Sequence, residues 1–292
     1  MLFAYDAITS VNNLLISKIT RQHAESEFPY LCPMQFIDTH AHLYLEEFDA
    51  DRNEMISRAI QAGVGTFLLP NIDRASLPAL LSLCDAWPEH CLPMIGLHPT
   101  SVKDDYRDEL AMVDQQLNER KFFAIGEIGI DLYWDKTHLE QQQIVFRHQL
   151  KLAKTLHLPV AVHMRNSFEQ VYSMLHEEAD ACLRGVFHCF SGSIQQARRV
   201  TELGFLLGVG GVVTFKNSGL QEVIKETGLE HMVLETDAPF LAPDPFRGKR
   251  NESAYIPLIA EKIASLKNIP LAEVAVVTTA NARNLFNINT KQ

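Results

Sequence analysis

Paired cysteines are missing from this chain. Its five, Cys32, Cys84, Cys91, Cys182 and Cys189, are odd in number and never stand as Cys-x-x-Cys, so neither a disulfide framework nor a zinc knuckle is indicated, and a reducing cytoplasmic compartment is expected. Positive charge is also scarce. Lys and Arg number 26 against 36 for Asp and Glu, a net charge of −10, which argues against a general affinity for polyanions. A nucleic-acid substrate would therefore need local cations. No low-complexity segment, charge run or linker rich in Pro, Gly or Ser divides the chain. The opening residues, MLFAYDAITSVNNLLISKIT, have no basic n-region and are interrupted by Asp6, Asn12 and Asn13. They make a poor signal peptide and too short an apolar run to span a bilayer, so neither export nor a membrane is expected.

What is present is length and rhythm. With 292 residues, 47% of them hydrophobic, the chain can bury a large core as one α/β barrel or as two smaller domains. Short apolar runs recur at 34–38, 64–70, 93–99, 122–127, 158–163, 184–190, 204–211 and 232–237, which is eight candidate strands. Helical spacing fills the gaps, as in HLEQQQIVFRHQLKLAKTLH, where Leu139, Phe146, Leu150, Ala153 and His157 fall on one face. Continuous apolar strands alternating with helices imply a parallel sheet covered by helices. Eight such units favour a single-domain α/β fold of the (β/α)8 TIM-barrel type over an open doubly wound sheet.

That architecture gives the polar residues an address, because barrel chemistry sits at the C-terminal ends of the strands. His40 and His42 follow the first run, Glu127 ends the fourth, His163 the fifth, and Asp237 the eighth, while His188 lies in the sixth. Strand alternation would point residues 40 and 42 to one side, roughly 6.6 Å apart, so that both imidazoles lean onto one ion. Each residue also has a plain structural role open to it. His-x-His alone is a weak motif, Glu127 suits a helix cap, Asp237 suits a turn before Pro239, and His163 and His188 suit satisfied core or loop positions. Their shared register favours a metal, since six ligand-type side chains at strand ends are costly to bury without a cation.

The segments FIDTHAHL, GLHP, IGEIGIDLYW, VHMR, FHCFSG and ETDAPFLAPDPFRGKRNE together resemble the TatD-type metal-dependent deoxyribonucleases of the amidohydrolase superfamily. The resemblance runs from about residue 35 to the end. It implies a (β/α)8 barrel, two divalent metal ions and cleavage of DNA phosphodiester bonds. By the same resemblance, His40, His42 and Asp237 hold one metal, His163 and His188 the other, and Glu127 bridges them. The chain departs from the family at its start, where residues 1–33 precede Met34. These read as an N-terminal extension or a mis-assigned start, the barrel being 34–292, and their deletion is expected to cost little.

The chemistry expected of such a centre is two-metal water activation, with Asp237 as proton acceptor and Glu127 as bridge. Asp38, deeper in the first strand, is expected to orient one of the histidines. Imidazoles admit zinc, whereas nuclease activity favours magnesium or manganese. The substrate expected is DNA, single-stranded or frayed. Arg247, Lys249 and Arg250 form a cationic loop ten residues past Asp237, and His98 and Arg165 sit at strand ends within reach of a substrate, although packing or capping would equally account for them. Tyr133 and Trp134 would either stack on a base or cover the barrel mouth. Cys189 is expected to face the helices. Two other readings stand beside the deoxyribonuclease. One is a hydrolase of another phosphate or ester, such as a phosphomonoester or an aminoacyl-tRNA; the other is a non-catalytic metal-binding barrel acting as an interaction protein. Nothing in the sequence points to a stable protein partner.

Overall fold

A computed structural model describes residues 34–288; the expectation for residues 1–33 lies outside that range. Eight parallel strands occur in the order read from the sequence: β1 Phe36–Asp38, β2 Val64–Leu69, β3 Cys91–Pro93, β4 Ile125–Asp131, β5 Val160–Arg165, β6 Gly185–Phe187, β7 Leu206–Val209 and β8 Met232–Leu234. Nine α-helices follow them among the described residues: α1 Arg52–Gln61, α2 Leu77–Ala86, α3 Tyr106–Glu119, α4 Leu139–Leu156, α5 Phe168–Glu178, α6 Ile194–Glu202, α7 Leu220–Glu226, α8 Ile256–Lys267 and α9 Leu271–Phe286. None is by itself long and apolar enough to cross a membrane.

Pairing joins β1 to β2 to β3, and β4 through β8 in sequence. An Ile95–Ile125 bridge links the β3 end to β4, and the Thr39 amide donates to Leu234 O at 3.0 Å, joining β1 to β8. The circle closes as a (β/α)8 barrel. One cluster collects a residue from almost every strand, including Ile37, Leu68, Ala161, Val186 and Val233, and adds Leu285 and Phe286 of α9. The last helix therefore plugs one end of the barrel interior with apolar side chains, leaving the other end for polar groups. The larger core lies between strands and helices, where Phe146, Leu150 and Ala153 of α4 are buried. His157 does not extend that face. It stands exposed past the end of α4 in the left-handed conformation, φ 54°.

Several strand ends differ from the apolar runs. β4 continues past Glu127 to Asp131, and β5 past His163 to Arg165, so both candidate ligands lie within strands. β3 stops at Pro93, leaving His98 in the loop beyond it. β1 stops at Asp38 and the chain bends at Thr39–His40. Alternation from the inward-facing Ile37 would turn residues 40 and 42 outward. The bend, not the strand period, re-aims them.

Candidate metal centre

Glu127 is the hub. It is almost fully buried, and its two carboxylate oxygens face different partners. Oε2 lies 3.1 Å from His40 Nε2 and 3.6 Å from His42 Nε2. Oε1 lies 2.7 Å from His163 Nδ1, 2.9 Å from His188 Nε2 and 3.3 Å from His98 Nε2. Asp237 completes the first group, with Oδ1 3.6 Å from His42 Nε2 and 3.9 Å from His40 Nε2. The structure thus gathers all six candidate ligands at the open end of the barrel.

Backbone bonds fix the first group. Asp237 N donates to His40 O at 2.9 Å, and His42 N to Ala238 O at 2.7 Å, stitching the bend after β1 to the chain leaving β8. Asp237 itself takes a left-handed conformation, φ 57°. Asp38 underpins this junction through the backbone, not through a ring. It accepts from the amides of His40 and Thr236 and from the hydroxyls of Thr236 and Ser253, at 2.6 to 3.3 Å.

The donor atoms suit a divalent cation. Ligands about 2.1 Å from one ion stand about 3.0 to 3.4 Å apart, depending on geometry. The His42–Glu127 and His42–Asp237 separations of 3.6 Å are too long for hydrogen bonds and close to that spacing. A metal ligand must also present a bare nitrogen, and in His42 the far nitrogen decides the matter. Tyr44 OH donates to Pro70 O at 2.7 Å, so it accepts from His42 Nδ1 at 3.1 Å, leaving His42 Nε2 bare toward Glu127 and Asp237. Asp131 Oδ2 accepts from His163 Nε2 at 2.9 Å, while Nδ1 faces Glu127 Oε1 at 2.7 Å. Glu235 Oε1 lies 3.4 Å from His188 Nδ1, a charge contact without a hydrogen bond. His40 stacks on His188 with ring centroids 3.8 Å apart, and the Nδ1 atoms of both have no hydrogen-bond partner among the described residues.

Burial and the histidine charges around it set the titration of this cluster. Burial opposes charge on Glu127, yet His188, His98 and His40 hold its carboxyl well below the ordinary value. Burial and the nearby His188 keep His40 well below the usual imidazole range, that is, neutral. Burial alone would lower His163 and His188. Hydrogen bonds donated to Asp131 and Glu127 raise His163 instead, and the charges of Glu127 and Glu235 raise His188 well above its usual value. Burial pushes the Asp237 carboxyl up to about 6; a bound cation acts in the opposite sense.

Three residues of this centre escape the sequence reading as functional groups: Asp131, Glu235 and Tyr44. The first two are carboxylates in otherwise apolar runs, a signal that was available. Glu235 is fully buried against β7, where a side-chain carbon on Gly208 would lie 2.2 Å from its Oε2. Only glycine at 208 leaves room for it.

His98 serves two ends. As the cap of a short 3-10 turn, its Nδ1 accepts from Thr100 N at 3.1 Å and stands 2.6 Å from the Thr100 hydroxyl. Its proton therefore sits on Nε2, which points at Glu127. That makes His98 a hydrogen-bond donor to the site, not a ligand. Arg165 stacks on the Tyr133 ring at 3.8 Å. Arg247 lies over Phe215 at 4.3 Å and Lys249 over Phe246 at 5.9 Å, both exposed. Arg250 departs from its expected role as a free phosphate grip: its guanidinium is bidentate on Asp51 at 2.6 and 2.8 Å and reaches Glu47 O. It clamps its loop to the start of α1. Cys189 also departs from expectation. It lies past β6 with φ 46°, half-buried, and its amide donates to Glu235 Oε1, so strand alternation does not govern it.

A closed barrel of this topology with a buried His/Glu/Asp cluster at its open end has the architecture of a metal-dependent hydrolase. The model of the family described as TatD related DNase matches residues 37–287. The uncharacterised metal-dependent hydrolase YabD of Bacillus subtilis is 41% identical over 253 residues, covering 86% of this chain and 99% of its own. YjjV of Escherichia coli, also described as an uncharacterised metal-dependent hydrolase, is 35% identical over 257 residues, 87% of this chain and 98% of its own. The crystal structure of YjjV, a TatD homologue, superposes with a TM-score of 0.83 over 88% of this chain and 99% of that one. The chain belongs to the TatD family of metal-dependent hydrolases.

Proposed function

We propose that this protein is a deoxyribonuclease that hydrolyses phosphodiester bonds of single-stranded or frayed DNA with two divalent metal ions, magnesium, manganese or zinc, with the cytoplasm as its compartment. The observation that carries the two-ion reading is the division of Glu127: Oε2 toward His40 and His42, Oε1 toward His163 and His188. A carboxylate so divided suits a bridge between two ions. The DNA reading is supported by the description of the matching family and by exposed cations beside the centre.

When bound, such ions supply Lewis acidity to a phosphoryl oxygen and lower the pKa of the attacking water. The side chains do the rest. Asp237, the most exposed of the three carboxylates and histidines in its group at 15%, accepts the proton of the attacking water. His98, neutral because burial lowers it, donates its Nε2 hydrogen to a substrate oxygen. Arg165, Arg247 and Lys249 hold neighbouring phosphates.

The test is metal stoichiometry beside cleavage of an end-labelled single strand by the metal-loaded protein, with chelated protein as control. Up to two ions per chain and metal-dependent cleavage are expected. Turnover of a phosphomonoester or an aminoacyl ester with no cleavage of DNA would move the substrate within the hydrolase class. Metal binding with no turnover of any of them would leave a binding protein.

A further inference from the structure

We propose that the barrel mouth carries two nucleobase-stacking platforms, Trp134 on the His163 side of Glu127 and Phe240 on the His42 side. A base on either side of the scissile phosphate stacks on them. This inference rests on the deoxyribonuclease reading and extends it to a substrate subsite.

Eight large apolar side chains stand exposed among the described residues, and four of them, Tyr133, Trp134, Phe240 and Leu241, occupy two loops at the ligand end. Exposed aromatics gathered at a functional mouth mark a binding surface more than a solvated one. Each platform is also tied to a ligand. Trp134, 69% exposed, donates its amide to Asp131 Oδ1 at 3.1 Å, while Oδ2 of the same carboxylate accepts from His163. Phe240, 47% exposed, donates its amide to Asp237 O at 2.8 Å, and its carbonyl accepts from Asn251 Nδ2 at 2.6 Å. Its ring lies 6.2 Å from that of His42. The backbone of each ring is thus hydrogen-bonded to a carboxylate residue of the centre, Asp131 for Trp134 and Asp237 for Phe240.

The cation that such a subsite needs is present. Arg165 stacks over Tyr133 and lies 5.3 Å from the Trp134 ring. No carboxylate pairs with its guanidinium among the salt bridges of the described residues, so its N–H edges remain for a phosphate next to a base on Trp134. A paired duplex cannot give up two neighbouring bases to separate platforms, whereas a single strand splays them at small cost. The arrangement accounts for a preference for unpaired DNA in a protein whose net charge is −10.

The experiment compares cleavage by the full-length, manganese-loaded wild type, Trp134→Ala, Phe240→Ala and Trp134→Phe on two substrates. One is a normal single-stranded oligonucleotide; the other has the same backbone with abasic residues flanking the cleaved bond. For the normal strand, each alanine variant should raise KM about 5- to 100-fold, the range for loss of one base–aromatic stack. Trp134→Phe should recover much of it, and metal content should be unchanged. On the abasic strand, wild type and variants should converge. Equal loss on both strands, or no loss on the normal one, overturns the platforms. If the wild type cleaves no oligonucleotide while retaining metal, the deoxyribonuclease reading itself falls, and the platforms with it.

Discussion

The two halves of the metal centre are built differently. On the His163 and His188 side, each ring has a carboxylate near its far nitrogen, Asp131 hydrogen-bonded at 2.9 Å and Glu235 in charge contact at 3.4 Å without a hydrogen bond. On the His40 and His42 side, no carboxylate plays that part: His42 leans on the neutral Tyr44 hydroxyl, and His40 Nδ1 has no partner. A carboxylate at the far nitrogen fixes the tautomer and raises the basicity of the ligating one. A phenol fixes the tautomer and adds little basicity. The difference predicts a tighter ion on the His163 side and a more exchangeable one on the His40 side, next to Asp237, the proposed proton acceptor.

Removing what the halves share should have the largest effect. Glu127→Gln keeps the shape but halves the bridge, leaving one oxygen and an amide that donates toward histidines. Both sites should weaken together, and turnover should fall at least about 10³-fold, the loss of a shared two-ion clamp. Metal content and single-turnover cleavage read this out. Loss of one ion with the other intact would show that Glu127 serves one half only.

Asp237→Asn comes next and acts on one half. It removes charge and basicity at the exposed edge of the His40 group while Glu127, His163 and His188 remain, so at least one ion should stay bound. Turnover should fall on the order of 10²- to 10⁴-fold, as for loss of a general base, and oligonucleotide affinity much less. Near-normal cleavage by the metal-loaded variant would place the proton elsewhere.

The orienting carboxylates test the comparison directly. Asp131→Asn and Glu235→Gln should each lower affinity for the more tightly held ion about 10- to 100-fold, and leave the weaker ion nearly unchanged. Asp131 is suited to this: burial opposes its charge, but the hydrogen bond with His163 holds its carboxyl down at about 2. Titration of the chelated variants with metal separates the two affinities. Equal weakening of both ions would mean that the halves are not independent.

The sequence carried much of this centre and missed the supports for a physical reason. Candidate ligands recur at one end of successive strands, so register alone collects His40, His42, Glu127, His163, His188 and Asp237, and the apolar rhythm predicts eight strands in order. Orientation is a property of three dimensions. The sequence does not show that Asp131 faces His163 across 32 positions or that Glu235 faces His188 across 47. The same limit misassigned Arg250, whose partner Asp51 lies 199 residues away. It also gave His40 and His42 a strand period, where a bend supplies the aim.

The smallest expected effect lies on the side without carboxylates. Tyr44 is nearly buried, and burial keeps its hydroxyl well above the ordinary titration range, so it remains a phenol. It hands its proton to Pro70 O and offers a lone pair to His42 Nδ1. Tyr44→Phe deletes that lone pair and leaves Pro70 O without its donor, but the ring still packs. His42 is then free to carry its proton on Nε2, the tautomer that cannot ligate. Because a hydroxyl only biases a tautomer that costs little to change, affinity for the weaker ion should fall about 10-fold at most, the low end for loss of such a partner. The tighter ion should be unaffected. Metal titration read beside the Asp131→Asn curve decides the matter: a Tyr44→Phe loss as large as that of Asp131→Asn, or one that falls on the tighter ion, would show that the two halves are not ranked as their partners imply.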